Sequence, residues 1–221
     1  MLTLKKIDNA KHIVIVLPDH AGVDTVASAS ALYSYILTLH KKVSFFSEQG
    51  SLGKNLDFLP WMDKLKSSYP SSSDIEIKLE SSEEVFTFFE KNNIKLNSKM
   101  ATSLYAALIA KSEGFTKNIV AKDFTFAETL LRSGADIESC SKNILNYNSL
   151  ATLRLKAILL DKMVLKDQAS TAFFELEDID LKNSGADMSD VKSILKDALS
   201  LPTVNSVIVQ YKNEIIINEG K

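Results

Sequence analysis

The sequence predicts an α/β protein with a parallel-sheet first domain and a smaller α/β second domain. Three observations carry this. The segment His12–Leu17, HIVIVL, is an unbroken and mostly β-branched run, as expected of a strand buried on both faces of a parallel sheet. It breaks at Pro18–Gly22, and helical spacing of apolar residues then leads to a second strand, KKVSFFSE (Lys41–Glu48), which makes a β-α-β unit of right-handed crossover. After a long helical stretch the pattern changes to short strands and a hairpin near residue 212.

The elements follow in order. From Asp24 to about Leu39, Val26, Ala29, Leu32, Tyr33, Ile36 and Leu37 recur at helical spacing. LDFLPWMDKLKSS reads as a turn at Pro60 with a short helix. IEIKLE (Ile75–Glu80) alternates as a strand does, and Glu84–Asn92 is a helix opened by a Ser81–Glu84 capping box. Helices follow at Ser98–Lys111 and in AKDFTFAETLLRSGAD, the latter stopped by Gly134 at a position that takes positive φ. Ile137–Tyr147 is a short helix and Asn148–Val164 a long one. Ser170–Leu176 reads as a strand, Ser189–Ser200 as a helix opened by Ser189, and Val204–Tyr211 and Glu214–Asn218 as strands joined through Lys212–Asn213. The expected organisation is a first domain at 1–147, a connecting helix at 148–167 and a truncated second domain at 168–221. Phe86, Phe88, Phe89, Phe124 and Phe126 read as core, because base-stacking platforms come with a basic groove.

Composition excludes several classes. The 221 residues are 45% hydrophobic and 24% charged with a formal net charge of −2, so nothing favours nucleic acid or an anionic membrane. Arg132 and Arg154 are the only arginines, which argues against bidentate phosphate or base recognition. Cys140 is the only cysteine, so no internal disulfide forms, and three histidines leave little for a zinc site. MLTLKKIDNAKH has no long apolar core of a signal peptide, and no run approaches the ~18–20 apolar residues of a membrane span. A cytoplasmic protein is the expectation.

Three blocks in series resemble the DHH phosphoesterase family. GVDTVASASALYSYI is similar to the end of the family's first motif loop and the small-residue helix behind it. SSEEVFTFFEKNNIKLNSKMATSLYAALIAKSEGF (Ser81–Phe115) resembles its next pair of helices, and AETLLRSGADIESCSKNILNYNSLATLRLKAILL the helical run into its second domain. The tail from Ser170 resembles the start of the DHH-associated domain. The resemblance implies a shortened DHH-type sheet and, in members with intact motifs, hydrolysis of phosphodiester or phosphoanhydride bonds by two Mn²⁺ ions held by Asp and His. Such a pair of ions clamps the attacking and leaving oxygens and acidifies a bridging water.

This sequence departs from that pattern. Aligned on Asp24, Gly22 stands at the other motif Asp, Pro18 at the His and His20 at the Asn. Asp24 is the only retained ligand-type position, with Asp19 and His20 nearby as replacement candidates. Lys111 falls on a metal-binding Asp, and a protonated Lys ligates no metal. The Asp-His-His stretch is absent, His12, His20 and His40 being scattered, and EIIINEGK carries no Gly-Gly-Gly-His loop. Asp24 otherwise reads as a helix N-cap, His20 as a loop residue, and His12 and His40 as structural. Lys111 is expected to replace metal charge beside Asp24, and it is a candidate contact for an anionic ligand.

Three functions follow. The first is a non-catalytic relative that needs no cofactor and acts through a protein partner or as a homodimer. Another is a phosphoesterase that uses Mn²⁺ at Asp19, His20 and Asp24. The third is a phosphate or nucleotide sensor that binds through Lys111 and Pro18–Asp24 without cleavage.

Overall fold

The computed structural model describes residues 2–49 and 52–220. The chain falls into two compact units, Met1–Tyr147 and Asn148–Lys221. The first contains α1 (Leu4–Asn9), β1 (His12–Val16), α2 (Val23–Thr38), β2 (Lys42–Phe46), β3 (Leu65–Lys66), β4 (Ile75–Lys78), α3 (Ser82–Lys91), α4 (Ser98–Lys111), α5 (Ala121–Arg132) and α6 (Ile137–Cys140). Its strands form one parallel sheet in the order β3-β2-β1-β4. The α/β class and the parallel first sheet are those expected.

The β-branched run becomes the central strand because Ile13, Val14 and Ile15 are all fully buried. Helix α2 is buried on nearly every side from Thr25 to Ile36. Its small residues let α4 approach closely, with Ala106 and Ala107 also fully buried. The hydroxyls in this seam find partners in one another. Ser30 Oγ lies 2.9 Å from Ser103 Oγ and donates to the Pro60 carbonyl at 2.6 Å. Trp61 Nε1 donates to Ser34 Oγ at 2.9 Å. Cys140 is fully buried and donates to the Thr102 carbonyl; burial pushes its thiol pKa up to about 12.

The second unit contains α7 (Leu150–Asp161), β5 (Val164–Lys166), β6 (Thr171–Leu176), α8 (Asp178–Ser184), α9 (Lys192–Leu199), β7 (Ser206–Tyr211) and β8 (Glu214–Gly220). Its sheet has the order β5-β6-β7-β8; only β6 and β7 run parallel. Leu155 and Leu159, on the helix read as a connector, are part of this unit's core. Lys212 and Asn213 both take left-handed φ (50° and 66°), the twist that a two-residue hairpin requires.

Several local expectations are corrected. α1, β3, β5 and α8 were not anticipated; each is seven residues or fewer, too short to set up a period. The capping box on α3 does not form: Ser81 caps with no side-chain bond, and Glu84 Oε1 instead accepts the Leu2 N–H at 2.7 Å. Asp187, not Ser189, opens the helical turn before α9 by accepting the Ser189 N–H at 2.8 Å. Phe124 is 56% exposed and stacks on Phe115 rather than entering the core. Gly134 holds φ +85° just past α5, as its position predicts.

Candidate functional site at the sheet's switch point

Strand order reverses between β1 and β4, because the chain leaves β1 towards β2 and returns to β4 on β1's other side. The loops beyond the carboxyl ends of two such strands diverge, which is where α/β proteins open a crevice for ligands. Pro18–Gly22 follows β1, and Leu79–Ser81 follows β4 into α3. The two helices that start there, α2 and α3, bring Asp24 and Ser82 together.

Asp24 is not the N-cap. Gly22 caps α2 with extended backbone, and Asp24 sits one place inside the first turn. Its Oδ2 accepts from Ser82 Oγ at 2.6 Å, and Ser82 is only 2% exposed. Its Oδ1 folds back over Gly22: a Cβ added at residue 22 would lie 2.6 Å from it. The space beside the Gly22 Cα is thus one that the Asp24 carboxylate occupies.

Lys111, at the end of α4, does not pair with Asp24. Its Nζ meets Glu83 Oε2 at 2.5 Å and lies 5.7 Å from the centre of the Phe86 ring. Lys122 approaches the other oxygen, Glu83 Oε1, at 3.7 Å. The Lys111 hydrogen bond, helped by Lys122, holds the Glu83 carboxyl below its ordinary range against the opposing effect of burial. So the site is two adjoining pairs, Asp24 with Ser82 and Glu83 with Lys111, linked through the first turn of α3.

The remaining candidates are placed elsewhere on the loop. Asp19 and His20 are exposed, and His20 holds φ +58° with Nδ1 3.1 Å from Gln49 Nε2. Among the described residues no three His, Cys, Asp or Glu side chains gather where they could hold a metal ion. The donors present therefore do not fit a pair of Mn²⁺ ions: Asp24 is committed to a hydroxyl, and the cation beside Glu83 is a lysine. Ser82, Glu83, Lys122 and Gln49 were missed from sequence. The doubled SSEE at Ser81–Glu84 is the one signal that pointed to this helix start.

An open parallel sheet with a crevice at its switch point, followed by a mixed-sheet unit, is a fold shared with solved proteins. An exopolyphosphatase-related protein from Bacteroides fragilis superposes at a TM-score of 0.73 and 18% identity, over 96% of this chain and 79% of its own. A protein described as a family II inorganic pyrophosphatase from Methanococcus jannaschii aligns over 90% of this chain and 82% of its own at 13% identity, with a TM-score of 0.33 that carries no argument. At such identities the first likeness establishes the fold alone. No family model and no curated protein matches the chain. None of its helices is long and apolar enough to cross a membrane among the described residues.

Proposed function

We propose that this chain is a non-catalytic relative of the DHH phosphoesterases that works in the cytoplasm by binding a protein partner or a second copy of itself. One observation supports this most directly. The crevice carries a carboxylate bonded to a hydroxyl and a lysine bonded to a carboxylate, where two-metal hydrolysis needs several carboxylates converging on two cations. Glu83 is neutralised within the chain by Lys111 and Lys122, which leaves Asp24, under a single hydroxyl donor, as too little charge for two divalent ions. The short outer strand β3, only two residues long, leaves an edge that a partner could cover.

Mn²⁺ titration by calorimetry, on the wild type and on Asp24→Ala, tests the reading without any guess at substrate. The expected outcome is no binding up to millimolar Mn²⁺ in either. Binding that disappears in Asp24→Ala would overturn it in favour of a Mn²⁺-dependent phosphoesterase. Light scattering on the same preparation separates a homodimer from a monomer that awaits another partner.

A further inference from the structure

A second cluster of reactive side chains lies towards the amino end of β1, away from the crevice. His12 is 8% exposed, and its Nε2 is 2.8 Å from Ser44 Oγ. The parallel register sets Val14 opposite Ser44, so His12 and Ser44 project from the same face of the sheet, one pleat apart. Asp74 anchors the chain at this point, its Oδ2 accepting the backbone N–H groups of Lys11 at 2.6 Å and His12 at 2.9 Å. His12 is thereby held by backbone, packing and the serine itself.

Ser44 is half-buried and lines a cavity of about 240 Å³ together with Tyr33, Val43, Lys64, Lys66 and Tyr69. The cavity exists because β3 joins β2 only at Phe45 and Phe46, leaving the earlier part of β2 without a neighbour on that side. The Lys42 N–H bonds the Lys11 carbonyl on the β1 side, so the alternation of the strand turns the Val43 N–H towards the cavity side. A hydroxyl, a backbone donor and two ammonium groups thus border one small space, Lys64 pairing also with Asp63 at 2.6 Å, and the His12 ring meets the hydroxyl from outside the lining. These are the parts that acyl transfer requires: nucleophile, base and stabilisers of an oxyanion.

We propose that Ser44 and His12 form a nucleophile–base dyad for small carboxylic esters, the cavity taking the acyl group and Lys64 or Lys66 an anionic substituent. Ser44 Oγ bonds to the acyl carbon while His12 Nε2 takes the hydroxyl proton. The carbon–oxygen bond to the alcohol breaks, and that proton passes to the departing oxygen. Water, deprotonated by His12, then releases the acid and restores Ser44. The volume limits the acyl group to a few carbons. Among the described residues no carboxylate is bonded to His12 Nδ1, the Asp74 contacts being to backbone, so the pair is a dyad and a slow one.

The full-length protein is treated with a fluorophosphonate probe and mapped by peptide mass spectrometry, and its turnover of p-nitrophenyl acetate is followed. In labelling, Ser44 Oγ bonds to phosphorus, fluoride leaves and His12 accepts the proton. The expected result is one adduct, on Ser44. Ser44→Ala should remove both adduct and turnover, and His12→Gln should slow labelling about a hundredfold, the usual worth of a general base. Circular dichroism establishes that each variant folds. No adduct, adducts spread over other residues, or equal labelling rates in His12→Gln and wild type would overturn the proposal. If His12→Gln does not fold, the selectivity of wild-type labelling for Ser44 decides alone.

Discussion

Each unit of the chain holds a lysine against carboxylates, and the two arrangements differ in what surrounds them. Lys111 meets Glu83 at 2.5 Å with the lysine partly exposed at 28% and the carboxylate at 48%. Lys162 reaches Glu177 and Asp180, both at 2.8 Å, but the Asp180 side chain is only 5% exposed. Asp180 also accepts the backbone N–H of Glu177 at 3.0 Å, so one carboxylate closes the start of α8 and holds the lysine. The second arrangement is part of the fold. The first sits at a crevice and can be altered without disturbing a core. Electrostatic pairs at similar distances thus carry different weight, because Asp180 is shielded from water while Glu83 is not, the two lysines being comparably exposed at 36% and 28%.

The sharpest way to break this contrast is Asp180→Ala. It removes a helix-start acceptor and one of the two carboxylates on Lys162, and should lower stability by about 1–3 kcal/mol. Asp180→Asn keeps an acceptor for the Glu177 N–H and should lose less. Urea unfolding of the two variants checks the order; equal losses would mean that the backbone bond contributes nothing. Next comes Gly22→Ala. Its Cβ must push Asp24 Oδ1 aside and loosen the Ser82 bond, for a cost up to about 1 kcal/mol. That cost should vanish when Asp24 is also changed to Ala, which a double-mutant cycle reads directly. Lys111→Ala should be the mildest, below about 1 kcal/mol after screening by solvent. A large loss there would erase the distinction between the two lysines.

pH separates them further. The folded Glu83 carboxyl titrates below its ordinary value. Its contribution is therefore present above the unfolded pKa of about 4.3 and is lost as pH falls through the lower folded value. The Lys162 pKa is raised by its hydrogen bonds to Asp180 and Glu177. That contribution is complete below about pH 10.4 and is lost only as pH rises beyond it. Melting curves of wild type and Lys111→Ala should therefore converge in acid, while wild type and Lys162→Ala should converge in strong alkali.

What was legible in the sequence was whatever is set locally. HIVIVL marks the central strand because β-branched residues without polar interruption have few other uses. Gly134 and Lys212–Asn213 mark turns because backbone dihedrals decide them. β3 was hidden: Leu65–Lys66 is two residues long and becomes a strand only because β2 lies beside it. Phe124 misled because an aromatic residue on a helix gives no sign of which neighbours its helix will meet. The crevice was half legible. Asp24 and Lys111 were found as residues, yet their partners Ser82 and Glu83 were not, since those contacts exist only after α3 docks against α2 and the end of α4. Register against a family motif placed Lys111 opposite Asp24; the geometry of α3 gave it a nearer carboxylate instead.

The thiol of Cys140 offers one more consequence. Deep burial both denies reagents access and suppresses the thiolate that would react with them. Modification must therefore wait for its surroundings to open, so the rate of alkylation is a clock for fluctuations of residues 1–147. No other cysteine competes, and 148–221 stays silent in the measurement. The protein thus carries its own stopwatch for one half of itself, readable by mass in a mixture without a label, a mutation or a known ligand.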